Sequence, residues 1–232
     1  AAVSLGGPDR SVSFAVPTGN FGNVFAAYAA KACGLPIDQL IIGTNSNDIL
    51  KRFFETGTLS MGTVEQTNSP SMDIQVSSNF ERFLFDLYGR DGNVLTAAMA
   101  EFRRDGTLAV GDNLHRTAQQ AISASRLSDA ATMQEMKQVL MSTGELIDPH
   151  TAIGVAAGRA MARENSAPIV AQAAAHPAKF PDAVEQATGR RPALPPHLSD
   201  LYERTERFDV LPNDLTTLQD HIRDRVSLPG AA

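Results

Sequence analysis

Residues 16–23, with the sequence VPTGNFGN, combine two glycines and two asparagines between a short apolar segment and a segment of helical periodicity. The run is therefore predicted to join the carboxyl end of a strand to the N-terminus of a helix. Glycine lets the backbone approach a ligand closely, and the first N–H groups of a helix have no partner within it. Gly19 and Gly22 thus suit a phosphate or a carboxylate, although such residues are also ordinary turn formers.

Two further groups could do acid–base or electrostatic chemistry. His176 and Lys179 follow a predicted strand in the run AHPAKF, which would place them at the ligand-binding edge of a parallel sheet. His150 lies in the run DPHT, and imidazole titrates near neutral pH. A structural interpretation stands beside each of these: His176 and Lys179 could hold a loop at a helix start, and Asp148 or Thr151 could cap a helix.

The elements that must position these residues alternate in period along the chain. Short apolar runs predict strands over residues 12–16, 40–44 and 169–173. Apolar residues at three- and four-residue spacing predict helices over 21–33, 48–57, 79–88, 93–103, 112–122, 128–141, 151–163, 177–187 and 214–226. This alternation predicts one α/β domain with an open parallel sheet, flanking helices and helical insertions.

Several residues on these predicted helices receive structural roles. Cys33 lies on an apolar stripe and is expected in the core. Asn47 or Asp48 is expected to cap the second predicted helix, and Ser78 or Asn79 the third. The last helix is predicted to be a closing amphipathic helix, with one apolar face formed by Leu215, Leu218, Ile222 and Val226.

The composition excludes several classes of protein. The net charge is −6 and the pI about 5.3, so we expect no nucleic-acid partner. No run approaches the roughly 18 apolar residues of a membrane span, and no basic segment typical of a signal peptide opens the chain. We therefore expect no membrane partner and a cytoplasmic location. The single cysteine and the absence of His or Cys pairs at ligand spacing predict neither a disulfide nor a metal site.

Six blocks of the sequence carry a resemblance when they are taken in order. They are PTGNFGN followed by AAKACGLPI, then TNSNDIL, SPSMDIQVSSNFERFL, DPHTAIGV and AHPAKF. In this order they resemble threonine synthase, a pyridoxal 5′-phosphate enzyme of the tryptophan-synthase-β-like fold (fold type II). The resemblance covers residues 12 to about 184, which is most of the chain.

The resemblance implies a role for the glycine turn. In the family, the backbone N–H groups of this loop cradle the phosphate of the cofactor, and the matching residues here are Gly19, Asn20, Phe21, Gly22 and Asn23. The family converts O-phospho-L-homoserine and water to L-threonine and phosphate. His176, Lys179 and His150 are the tentative catalytic residues of this chain.

Two departures from the family pattern are visible. The family's Schiff-base lysine lies well before the glycine turn, and none of the four lysines of this chain precedes it. We therefore expect residues 1–232 to form the C-terminal, cofactor-binding portion of the large domain, which would be incomplete at its N-terminus. Its partner would be the N-terminal half of the same protein, and the isolated chain would be inactive. In addition, Ala174 occupies the position where the family places a hydroxyl against the pyridine nitrogen.

Two alternatives remain open at this point. One is a non-catalytic domain of the same fold that binds an anion, which the alanine at position 174 favours. The other is an enzyme similar to serine or threonine dehydratase, against which the SPSMDI and AHPAKF blocks argue.

Overall fold

A computed structural model describes residues 1–163 and 167–226 of the chain. The strands are β1 (Val12–Pro17), β2 (Ile37–Thr44), β3 (Thr58–Ser60), β4 (Thr107–Ala109), β5 (Ser123–Arg126) and β6 (Ile169–Ala171). The α-helices are α1 (Gly22–Ala32), α2 (Ile49–Thr56), α3 (Phe80–Leu87), α4 (Gly92–Asp105), α5 (Asp112–Ala121), α6 (Asp129–Thr143), α7 (Pro149–Met161), α8 (Pro181–Thr188) and α9 (Leu215–Arg225).

Four of the strands form one parallel sheet in the order β5-β2-β1-β6. In its centre, Ala15 on β1 lies opposite Ile41 on β2 and Ala171 on β6. Strands β3 and β4 form a separate antiparallel pair. The predicted α/β fold with an open parallel sheet is confirmed. Because the strands are parallel, the segments that follow β1, β2 and β6 meet at one edge of the sheet.

Successive residues of the central strands pack into different layers. Val16 and Ile42 belong to a phenylalanine-rich cluster that includes residues of α1 to α5. Ala15 and Ile41 belong to a smaller cluster with residues of α7. The second layer is thin, because a Cβ atom built on Gly43 would lie only 2.7 Å from a backbone oxygen of α7. Helix α7 therefore packs closely against the sheet and carries its first turn to the carboxyl edge.

The chain divides into two compact units, Ala1–Ala193 and Leu194–Ala232. The first unit contains the sheet, helices α1 to α8 and all of the predicted site residues. The second contains α9 and two short 3-10 helices. No helix in the described ranges is both long and apolar enough to cross a membrane.

The prediction of secondary structure missed strands β3, β4 and β5 and joined two helices into one. Strand β5 was not predicted, because it is a half-exposed edge strand whose only apolar residue is Ala124. The helix predicted over 177–187 is divided into a 3-10 helix, Pro177–Lys179, and α8. Pro181 accounts for the division, since proline has no N–H group to donate within a continuous helix.

Two predictions about burial were wrong. Cys33 is exposed, because it follows the last turn of α1, beyond the part of the helix that faces the core. Helix α9 forms as predicted. The apolar residues of its predicted face, however, are largely exposed: Leu215 at 68%, Leu218 at 45%, Ile222 at 50% and Val226, just after the helix, at 51%. None of the described residues of the second unit is buried, since so short a segment cannot build a core of its own.

Candidate functional site

The turn after β1 and the segment after β6 line one cavity of about 280 Å³ at the carboxyl edge of the sheet. Eight of the residues singled out in the sequence line this cavity: Gly19, Asn20, Phe21, Gly22, Asn23, His150, Ala174 and Lys179. His176 is not among the lining residues. Its Nδ1 accepts a hydrogen bond from the N–H of Ala178 at 3.2 Å and caps the 3-10 helix that follows.

The turn that lines the cavity has backbone N–H groups without acceptors among the described residues. Among the hydrogen bonds of the described residues, none is donated by the N–H groups of residues 19–24. The carbonyl of Gly19 accepts from Ser77 Oγ at 2.8 Å, and that of Asn20 accepts from the N–H of Asn79 at 3.1 Å. Ser77 and Asn79 therefore hold the carbonyl side of the turn. They leave the N–H groups, and the positive end of the α1 dipole, for an anion.

Phe21 anchors the turn. It has a left-handed backbone conformation, with φ of 66°, which costs a non-glycine residue about 1–2 kcal/mol. Its side chain is buried and packs edge-to-face on Phe80, with ring centroids 4.9 Å apart, and against Phe83 at 5.7 Å. This aromatic packing offsets the backbone strain and fixes the direction of the N–H groups.

A second segment lies directly against the turn. A Cβ atom built on Gly19 would lie 3.1 Å from the Cα of Met72 and 3.1 Å from the backbone oxygen of Ser71. Both of these residues also line the cavity. Glycine at position 19 is thus required by the close approach of two backbone segments.

The first turn of α7 forms another wall of the cavity. Asp148 is fully buried and caps α7, accepting from the N–H groups of His150 and Thr151. It also accepts from His150 Nδ1 at 2.9 Å, from Thr151 Oγ1 and from the N–H of Ala175 at 3.2 Å. Of the two predicted caps, Asp148 is therefore the one observed. Its carboxylate joins α7 to the segment after β6.

His150 is held tightly by these contacts. The residue is buried, and the centroid of its ring lies 4.8 Å from that of Phe180. With Nδ1 on the Asp148 carboxylate, Nε2 is buried and has no hydrogen-bond partner among the described residues. Burial would raise the pKa of Asp148, but the hydrogen bonds from His150 and then Thr151 outweigh it, so this pKa lies below its ordinary value.

Lys179 brings a positive charge to the cavity. It is the one lysine of the four among the lining residues, and its Nζ lies 5.7 Å from the centroid of the Phe180 ring. Ala174 offers the cavity only a methyl group, while its N–H donates to Thr151 Oγ1 at 2.9 Å.

The structure corrects the interpretation of two predicted caps. Asn47 and Asp48 precede α2, yet neither side chain accepts a capping hydrogen bond from the backbone N–H groups of that helix. Asp48 instead pairs with Arg52 at 2.9 Å, and buried Asn47 joins a polar cluster around Asp73. The sequence pattern could not distinguish these roles, because the partner at position 73 lies 26 residues away.

Comparison with known proteins points to one family. The family model described as "Threonine synthase, C-terminal" matches residues 151–222. Threonine synthase of Pseudomonas aeruginosa is 51% identical over 220 residues, covering 94% of this chain and 47% of that protein. A structure titled as threonine synthase with bound pyridoxal phosphate, from Brucella melitensis, is 49% identical with a TM-score of 0.90, covering 96% of this chain and 48% of that one.

The structure of yeast threonine synthase also matches, with 32% identity, a TM-score of 0.84, and coverage of 96% of this chain and 49% of that one. The chain therefore has the fold of the fold-type-II pyridoxal-phosphate enzymes. Within that class it is similar to the C-terminal half of threonine synthases over nearly its whole length, which confirms the resemblance found in the sequence. It spans about half the length of the curated relatives that it matches.

Proposed function

We propose that this chain is the cofactor-binding half of a threonine synthase and that it holds pyridoxal 5′-phosphate by its phosphate group. The observation that carries the proposal is the set of N–H groups in residues 19–23 that donate no hydrogen bond within the described chain, in a turn that lines a cavity at the N-terminus of α1. A phosphate needs several donors converging on one point, and this turn offers them without a basic side chain in the loop. When bound, the cofactor would serve as an electron sink for carbanion chemistry.

The remaining lining residues suit the other parts of such a ligand. Lys179 supplies a positive charge near the anion. For His150, Nε2 is the ring nitrogen left to contact a ligand, because Nδ1 is occupied by Asp148 and Nε2 has no partner among the described residues. We propose Lys179 and His150 as the acid–base groups of this half. We propose that His176 acts instead by capping the 3-10 helix Pro177–Lys179. With alanine at position 174, the ring nitrogen would need a partner other than a side-chain hydroxyl.

We propose that the intact protein is a carbon–oxygen lyase of threonine biosynthesis that acts in the cytoplasm. Its substrate would be O-phospho-L-homoserine, and its products L-threonine and phosphate. The catalytic lysine and most contacts to the substrate would belong to the N-terminal half of the same protein. Residues 1–232 would then be one portion of the large domain. The isolated chain is expected to form no threonine, so threonine formation by it would contradict this assignment.

Replacing Gly19 with alanine is expected to weaken binding of pyridoxal 5′-phosphate about tenfold, equivalent to about 1.4 kcal/mol. The added Cβ meets the backbone of Ser71 and Met72 at 3.1 Å, so one of the two segments must move by a few tenths of an ångström. That movement displaces the N–H groups from the phosphate. The dissociation constant is measured by titrating the cofactor against the chain and following its absorbance.

The matched control is Gly111→Ala. Gly111 lies at the start of α5 with φ of −68°, and its built Cβ has no neighbouring atom within 4 Å. Its affinity should equal that of the wild type. Equal affinities for all three proteins would show that the turn does not hold the phosphate.

A further inference from the structure

The side chains of Asn45 and Asn47 in the run TNSNDIL, and of Asp73 in the run SPSMDI, have no role in the site described so far, yet the fold brings them together. Asn45 and Asn47 follow β2, and both donate side-chain N–H groups to Asp73 Oδ1, at 2.7 and 3.0 Å. Thr67 Oγ1 donates to the same oxygen at 2.6 Å, and the N–H of Thr67 donates to Oδ2 at 2.8 Å. We call Asn45, Asn47, Thr67, Ser69 and Asp73 the Asp73 cluster.

The Asp73 cluster is closely connected, and three of its five residues are buried while Thr67 and Asp73 are partly buried. Asn45, Asn47 and Ser69 are each no more than 4% exposed. Asn45 also donates to Ser69 Oγ at 2.9 Å, and its Oδ1 accepts from the N–H of Asn47 at 2.9 Å. Buried polar networks whose members are satisfied hold one geometry, because any rearrangement leaves a polar group without a partner.

This cluster fixes a long connection that has little regular structure of its own. Residues 61–79 contain only one short 3-10 helix, Pro70–Met72, between β3 and α3. The Asp73 carboxylate ties the connection to the end of β2 immediately after that short helix. Ser71 and Met72, the two residues before Asp73, are those whose backbone lies against Gly19. The position of Asp73 therefore sets the position of the backbone that borders the turn.

We infer that Asp73 is a positioning residue for the phosphate of the bound cofactor, acting through the backbone of Ser71 and Met72 on the turn at Gly19. The inference rests on the proposed function, because it supposes that a phosphate lies in this turn. Asp73 is not itself among the residues that line the cavity. Its charge is met by four donors, so it acts by holding a backbone in place.

The test compares three variants by their affinity for pyridoxal 5′-phosphate and by their melting temperature without ligand. Asp73→Ala removes all four acceptor contacts and should weaken binding about tenfold, a change equivalent to about 1.4 kcal/mol. Asp73→Asn can keep an oxygen at the Oδ1 position, with its three donors, and loses the bond from the N–H of Thr67. Its affinity should lie between those of wild type and Asp73→Ala.

Asp129→Ala is the matched control, because it releases the same connection at a different point. Asp129 accepts from the N–H of Asn68 at 3.1 Å and from Asn68 Nδ2 at 2.8 Å, and it does not line the cavity. This variant should also melt at a lower temperature than wild type but bind the cofactor within twofold of it. The ³¹P chemical shift of the bound phosphate should change in Asp73→Ala and stay unchanged in Asp129→Ala.

Each outcome decides the inference. The inference is supported if Asp73→Ala loses affinity, Asp129→Ala keeps it, and the affinity of Asp73→Asn lies between those of wild type and Asp73→Ala. Equal losses in Asp73→Ala and Asp129→Ala would overturn it, since the effect would then follow from general loosening of the connection. Unchanged affinity in both Asp73 variants would also overturn it. Failure of the wild-type chain to bind pyridoxal 5′-phosphate would overturn the proposed function itself, and this inference with it.

Discussion

Replacing Gly43 with alanine is expected to lower the free energy of unfolding by about 3 kcal/mol, at the upper end of the cost of overpacking a core. The new Cβ would lie 2.7 Å from the backbone oxygen of Ile153, 2.8 Å from its Cγ2 and 3.1 Å from the Cβ of Ala157. Rotation of a side chain cannot relieve a clash with a helix backbone. Helix α7 would therefore have to move away from the sheet.

The loss of unfolding free energy is measured by urea unfolding. In thermal unfolding, we expect the melting temperature to fall by roughly 6–12 °C for a chain of this size. Gly92→Ala is the control, because Gly92 begins α4 and its built Cβ has no atom within 4 Å. That variant should be at least as stable as the wild type. Because α7 also carries His150 to the cavity, Gly43→Ala should bind pyridoxal 5′-phosphate less tightly. Wild-type stability in Gly43→Ala would contradict the close packing of α7 on β2.

Replacing Asp148 with alanine is the second change expected to have a large effect, also about 3 kcal/mol of unfolding free energy. Loss of a helix N-cap costs about 1–2 kcal/mol, and a buried donor left without an acceptor costs about 1–3 kcal/mol. Asp148 is both the cap of α7 and the acceptor for His150 Nδ1. Its removal also frees the N–H of Ala175, so the wall of the cavity after β6 should loosen.

The stabilisation from Asp148 should depend on pH in a defined direction. In the folded chain the pKa of Asp148 lies below its ordinary value of 3.8, since its hydrogen bonds outweigh burial. Between the two pKa values the unfolded chain binds a proton that the folded chain does not, so stability falls as the pH falls through this window. The difference in unfolding free energy between wild type and Asp148→Asn should begin to shrink as the pH falls through about 5, where the unfolded carboxyl starts to take up protons, and should keep shrinking below 3.8. A difference that stays constant down to pH 2 would contradict the depressed pKa.

The features that the sequence predicted correctly are local ones. Strands β1 and β2 are marked by short apolar runs, and helix α1 by apolar residues at three- and four-residue spacing, and neither pattern needs knowledge of the partner segments. The glycine turn between β1 and α1 is predicted by the change from the apolar run of the strand to the helical spacing that follows it. Its orientation is a separate matter, because it depends on Ser77 and Asn79, more than fifty residues further along the chain.

The features that escaped prediction depend on tertiary contacts. The amide of Asn47 is indistinguishable in sequence from a helix cap, and only the fold supplies its partner, Asp73. The apolar stripe of α9 has helical spacing, but spacing does not reveal whether a surface is present to cover it. Burial of His150 and its contact with Asp148 likewise required the packing of α7 on the sheet.

The most direct test of the central claim is to titrate the chain with pyridoxal 5′-phosphate, reduce the mixture with borohydride and measure the mass of the protein. We expect saturable binding that inorganic phosphate competes away, with no stoichiometric covalent adduct, because under the proposed function the turn would hold the phosphate and the catalytic lysine would belong to the N-terminal half. A stoichiometric adduct, mapped to Lys179 or another of the four lysines, would contradict that account. The catalytic centre would then lie within residues 1–232.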